Sequence, residues 1–116
     1  MKAGKRVIVS EFAESPAEAL EKFISLQDMA ALDPAQLGPQ DVVIEIKSAS
    51  VGWVDLLMTS GQYQHMPSPP YCPGLEYSGG VSWVGAQVDK TKVAVGDRVF
   101  SDPFLSGPRS HGKYQA

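Results

Sequence analysis

The sequence predicts a mainly β domain, barrel-like or sandwich-like, with one or two short helices. Three observations lead there. Short β-branched runs recur along the chain. Eleven glycines and nine prolines interrupt 116 residues, which suits short strands joined by tight turns. Helical signals are confined to two brief stretches, and no internal repeat or low-complexity segment is present.

Arg6–Ser10 (RVIVS) reads as a first strand because its β-branched residues fit a pleated surface. Ser15–Ala31 is ambiguous. Ser15 suits a helix cap, with Pro16 at the first helical position and Glu18 three residues after the cap. Leu20, Phe23, Ile24 and Gln27 would then share a face. The alternative is a short extended segment at Phe23–Leu26. Val42–Ser48 (VVIEIKS) alternates, with Val42, Ile44 and Ile46 on one face and Val43, Glu45 and Lys47 on the other. That is the pattern of a half-buried strand.

Val54–Ser60 reads as one or two helical turns closed by Gly61. Pro67, Pro69, Pro70 and Pro73 then make a stiff, non-helical loop, with a cis bond open at Pro70 or Pro73. Gly79–Val88 reads as a strand with Val81 and Trp83 on one face and a kink at Gly85. Val93–Phe100 holds a Gly96-Asp97 turn between two β-rich pieces, since that pair accepts positive φ.

Composition excludes several functions. Ten Lys and Arg against thirteen Asp and Glu give a net charge of −3, which argues against a nucleic-acid backbone binder. Eight acids between Glu11 and Glu45 face only Lys22, as a solvated surface would. No apolar run reaches the roughly 18–20 residues of a membrane-spanning helix. The basic start Met1–Arg6 has no apolar signal core behind it. One cysteine, Cys72, allows no intrachain disulfide and no multi-cysteine zinc site. The expectation is a soluble, cytoplasmic protein without membrane or nucleic-acid partners. A homo-oligomer is compatible with it.

The chemistry is sparse. No G-x-G-x-x-G or phosphate-binding loop occurs. Cys72, His65 and His111 show no zinc-ligand spacing, so Cys72 reads as a small buried hydrophobe and the histidines as solvent-facing. No serine sits in a nucleophile elbow, and a Cys72–His65 dyad has only arbitrary spacing behind it. Tyr63, in the loop after Gly61, is a phenol that stays protonated at neutral pH and can donate to a carbonyl-type substrate. It can equally pack its ring and leave its hydroxyl wet.

Three segments together carry a family resemblance. They are Ala49–Tyr63 (ASVGWVDLLMTSGQY), Pro70–Gly80 (PYCPGLEYSGG) and Val95–Phe100 (VGDRVF). In order and spacing the chain resembles the medium-chain dehydrogenase/reductase superfamily, in its zinc-independent quinone oxidoreductase and enoyl reductase branch. The resemblance covers nearly the whole chain. It implies a GroES-like, partly open β-barrel, the substrate-side catalytic domain of a reductase. Zinc-dependent relatives put cysteine where Gly52 stands and histidine where Leu75 stands, so the resemblance implies no zinc.

The resemblance also assigns roles. The tyrosine at the position of Tyr63 lies near the nicotinamide and acts as an acid or orienting hydroxyl. Gly52 replaces an asparagine that faces the cofactor, and Trp53 beside it supplies either an aromatic wall or a core ring. The site residues are therefore Tyr63 for catalysis and Gly52, Trp53 and Tyr63 for the cofactor. Asp55 and Glu76 read as structural. For Phe23–Leu26 the resemblance favours strand over helix.

Relatives carry a Rossmann domain, and His111–Ala116 (HGKYQA) resembles the segment leading towards it. The chain therefore reads as one domain, residues 1–116, ahead of a domain that binds most of NADPH. The expected substrate is a small quinone or enone, with the chain inactive alone. The other reading, from a different functional class, is a non-catalytic GroES-like binding or scaffold module.

Overall fold

The computed structural model describes residues 2–64 and 66–101. Two antiparallel sheets carry the chain, and they do not close into a barrel. The first pairs β1 (Gly4–Val9) with β2 (Ile24–Met29). The second runs β3 (Val42–Ala49), β4 (Tyr77–Val84) and β5 (Arg98–Phe100) in that order. Helix α1 (Pro16–Lys22) lies between β1 and β2, and α2 (Trp53–Met58) lies between β3 and β4.

The ambiguous stretch resolves into both of its alternatives in succession. Ser15 caps α1, accepting from the Glu18 amide at 3.1 Å, with Pro16 at the first position and Ala19 fully buried. The helix stops at Phe23 because Ile24 onward finds a ladder partner in β1, from Ile24↔Val9 to Met29↔Gly4. The helical stripe expected through Phe23, Ile24 and Gln27 is therefore absent. Pairing with a neighbouring strand outweighs a local helical preference of a few tenths of a kcal/mol per residue.

Alternation in β3 holds from Ile44 to Lys47, with the isoleucines partly buried and the charges exposed. It fails at Val42 and Val43, where the β3–β4 register shifts between Val43 and Ile44. β4 begins earlier than the sequence suggests and ends before Gly85. Gly85 abuts the backbone of Gly38 and Pro39, a close approach that leaves no room for a Cβ. The turn at Gly96 has the anticipated positive φ of 96°, and Val81 exchanges backbone bonds of 2.9 Å with Gly96 and Asp97. Only its second flank is a strand, because Val93 and Ala94 lie in the loop before it.

A small core joins the first sheet to α2. Val9, Met58 and Tyr71 are buried together, and Ile24, Val54, Tyr63, Met66 and Leu75 pack against them. Val9 and Tyr71 exchange backbone hydrogen bonds of 2.8 and 3.0 Å, which pins the proline-rich loop to β1. The cis bond lies between Pro69 and Pro70. Among the described residues, no helix is long and apolar enough to cross a membrane.

Candidate functional site

The residues singled out by sequence fall on one helix–loop unit. Gly52 caps α2, Trp53 opens it, and Tyr63 follows its end by five residues. Gly52 has no side chain to close the cap from its own side. Asp55 supplies the reciprocal bond, its Oδ2 accepting from the Gly52 amide at 2.8 Å. At the other end Gly61 takes a φ of 72° and its amide bonds the Met58 carbonyl at 3.2 Å. That turn directs the chain back over the core, where the Tyr63 ring packs.

Trp53 is 74% exposed, so its indole is no core ring. A Cβ at Gly52 would meet nothing closer than Asp55 Oδ2 at 3.9 Å, which leaves its backbone open to approach. Val51, exposed like Trp53, extends the apolar surface at this end of the helix. A flat aromatic ring beside an open backbone can receive a planar heteroaromatic group.

The P-x-x-P-G-x-E segment is tied at its C-terminal end from two sides, by Ser50 and by Ser101. Ser50 Oγ donates to Glu76 Oε2 at 3.0 Å, and the Ser50 amide donates to the Glu76 carbonyl at 3.0 Å. Ser101 Oγ donates to the Leu75 carbonyl at 3.2 Å and accepts from the Tyr77 amide at 3.0 Å. Leu75 thus packs on the core that Tyr63 also covers. Glu76 and Asp55 have the structural partners their positions suggest.

As to metal, Gly52 and Leu75 carry no donor atom, and Cys72 is buried with its thiol 3.7 Å from the Pro73 carbonyl. Among the described residues, no three His, Cys, Asp or Glu side chains come together. Among the described residues, the positions of Gly52 and Leu75 therefore offer zinc no ligand. His65 and the segment His111–Ala116 lie outside the described residues. A groove of about 360 Å³ lies elsewhere, lined by Lys5, Met29, Ile44, Ile46 and Ser82, and none of the three site residues lines it.

Tyr71 is a residue that sequence reasoning passed over. It is 4% exposed, and its hydroxyl has no hydrogen-bond partner among the described residues. The available signal was a phenol between Pro70 and Pro73 in a segment otherwise apolar. Burial, and then the negative charge of Asp55, push the Tyr71 hydroxyl up from 10 to about 12. The folded chain therefore holds this proton more tightly than the unfolded chain. That stabilisation is complete below pH ~10 and is lost as pH rises towards ~12. Its size is on the order of 2–3 kcal/mol. Denaturant unfolding at about pH 8 and about pH 11 should show a larger loss for the natural chain than for Tyr71→Phe. Equal losses would refute it.

Residues 38–116 match the alcohol dehydrogenase GroES-like domain family. The chain is similar to quinone oxidoreductase-like protein 2 of Mus musculus, 38% identical over 80 residues. That match covers 69% of this chain and 21% of the mouse protein. It is also similar to the quinone oxidoreductase of Lama guanicoe, 33% identical over 111 residues, covering 92% of this chain and 31% of that one. Among solved structures, a probable oxidoreductase from Mycobacterium abscessus superimposes with a TM-score of 0.68 at 28% identity. There the match covers 91% of this chain and 30% of the other. The chain thus spans between a fifth and a third of the length of these relatives.

Proposed function

Because the chain belongs to the alcohol dehydrogenase GroES-like domain family, we propose that it is the substrate-side domain of an NAD(P)H-dependent oxidoreductase that reduces quinones or activated enones. The observation that carries this reading is the grouping of Gly52, Trp53 and Tyr63 on one helix–loop unit, which Met58 and the Tyr63 ring anchor in the core. The names of the relatives, quinone oxidoreductase among them, supply the substrate class.

A reduced nicotinamide, when bound, supplies the hydride. The residues present fit such a ring, since Gly52 leaves its backbone open and Trp53 offers an exposed aromatic face. Gly52 and Trp53 bind and orient its edge, and the indole keeps water from that side. Tyr63 donates from its hydroxyl to the carbonyl oxygen of the quinone or enone, stabilising the negative charge that develops there. Packing of its ring on the core restricts the directions in which that hydroxyl can point. Zinc has no part in this mechanism, in keeping with the lack of donors at Gly52 and Leu75. Pyrophosphate and ribose are held mainly by a Rossmann domain acting with this one, and this chain alone does not turn over. A cytoplasmic location agrees with a single cysteine, Cys72, kept as a buried thiol.

NADPH titration of the 116-residue chain is expected to show no saturation at micromolar concentration. Joined to a dinucleotide-binding domain, the same chain is expected to oxidise NADPH only when a quinone or enone is added. Oxidation with neither substrate would overturn the reading.

A further inference from the structure

The Tyr71 hydroxyl and Asp55 Oδ1 are both buried, and neither has a hydrogen-bond partner among the described residues. Buried polar atoms are paired in the great majority of cases, so each such atom needs an explanation. These two are complementary. A protonated phenol donates, and a carboxylate oxygen accepts. They also share a neighbourhood. The charge of Asp55 acts on the Tyr71 hydroxyl. Met58, three residues after Asp55 and so on the same face of α2, is buried in one cluster with Tyr71. Asp55 is already engaged through its other oxygen, which holds the Gly52 amide at 2.8 Å.

We propose that the Tyr71 hydroxyl and Asp55 Oδ1 bind one water molecule between them, and that Tyr71 thereby acts as a positioning residue for the Gly52 backbone. A water can donate to the carboxylate while accepting from the phenol, which satisfies both atoms at once. The bridge locks the Asp55 carboxylate in the orientation that holds Gly52. It therefore couples the proline-rich loop, through Tyr71, to the first residue of the α2 cap. The consequence for cofactor placement rests on the reading in the preceding subsection. The bridge itself does not.

The test is nuclear magnetic resonance on the isotope-labelled 116-residue chain, without NADPH. Tyr71→Phe is expected to shift the Gly52 amide resonance while the amides of Gly79 and Val81 in β4 stay in place. It is also expected to lower the unfolding midpoint, because a satisfied hydroxyl stabilises whereas deleting an orphaned one is neutral or favourable. Asp55→Asn is expected to shift the Tyr71 Cζ resonance. Val9→Ala, which disturbs the same core without removing either polar group, is expected to leave Gly52 in place. A Gly52 amide unmoved in folded Tyr71→Phe overturns the proposal. So does an unchanged or raised unfolding midpoint, or an equal Gly52 shift in Val9→Ala. Should Tyr71→Phe not fold, Asp55→Asn decides from the other side, and an unmoved Tyr71 Cζ overturns the bridge. No readout involves cofactor or turnover, so this result and the fate of the reductase reading are separable.

Discussion

Replacing Gly79 with alanine is expected to destabilise the chain by about 3 kcal/mol or more, the upper end of what overpacking costs. Gly79 sits in the central strand β4, opposite Ile46 of β3 on one side and Val99 of β5 on the other. A Cβ built there runs into the Glu45 carbonyl oxygen and lies 2.9 Å from its carbon and 3.0 Å from Ile46 Cα. All three are backbone atoms, so no flexible side-chain tip can swing away. β3 as a whole must retreat, and the ladder at Glu45↔Gly80 and Ile46↔Gly79 is then strained. Against a total stability of roughly 5–15 kcal/mol for an ordinary domain, such a loss is large. Gly80 is the internal control. A Cβ there meets only the Asp97 carbonyl oxygen at 3.9 Å, an ordinary contact, so Gly80→Ala should change stability by about 0.5 kcal/mol or less. Denaturant unfolding of the two variants measures the difference, and coincident midpoints would refute the argument. The same ladder ends at Ala49↔Tyr77, one residue from the Ser50–Glu76 bonds, so loosening it also loosens the loop that carries Leu75.

Tyr63→Phe should lower turnover by about 10²–10⁴-fold in a form that carries a dinucleotide-binding domain, the usual contribution of a positioned acid. NADPH affinity should hardly change. Phenylalanine keeps the ring that packs on the Val9–Met58–Tyr71 core, so the fold is preserved and only the hydroxyl is lost. If the hydroxyl acts on the substrate oxygen in the transition state, kcat and kcat/KM fall together. A rise in KM alone would mean that Tyr63 merely binds substrate. Unchanged turnover would remove Tyr63 from the mechanism and leave its ring as packing.

The contrast between α1 and α2 shows what was legible in the residues. The helix starts were written locally. Ser15, Pro16 and Glu18 mark one, while the other, read from Val54, opens one residue earlier at Trp53, where Asp55 holds the Gly52 amide. Turn chemistry was equally local, since Gly61 and Gly96 take the positive φ that glycine adopts without strain. Where α1 stops was not local. Ile24 lies in β2 because β1 offers it backbone partners, and those partners are distant in sequence.

Identity and site followed the same division. The segments SVGWVD, SGQY and PYCPGLE named the family unaided, because residue types at fixed spacing survive without any structure. They also marked Gly52, Trp53 and Tyr63 as candidates. Their order along the chain could not say that Trp53 is exposed while the Tyr63 ring rests on the core. Nor could it single out Tyr71, whose importance lies in burial and in the charge of Asp55 sixteen positions earlier. Composition, turns, helix caps and family were determined by the sequence itself, because each depends on neighbours a few residues away. Strand partners, exposure and the orphaned polar pair were decided only by the tertiary structure, because each depends on which distant segments the fold brings together.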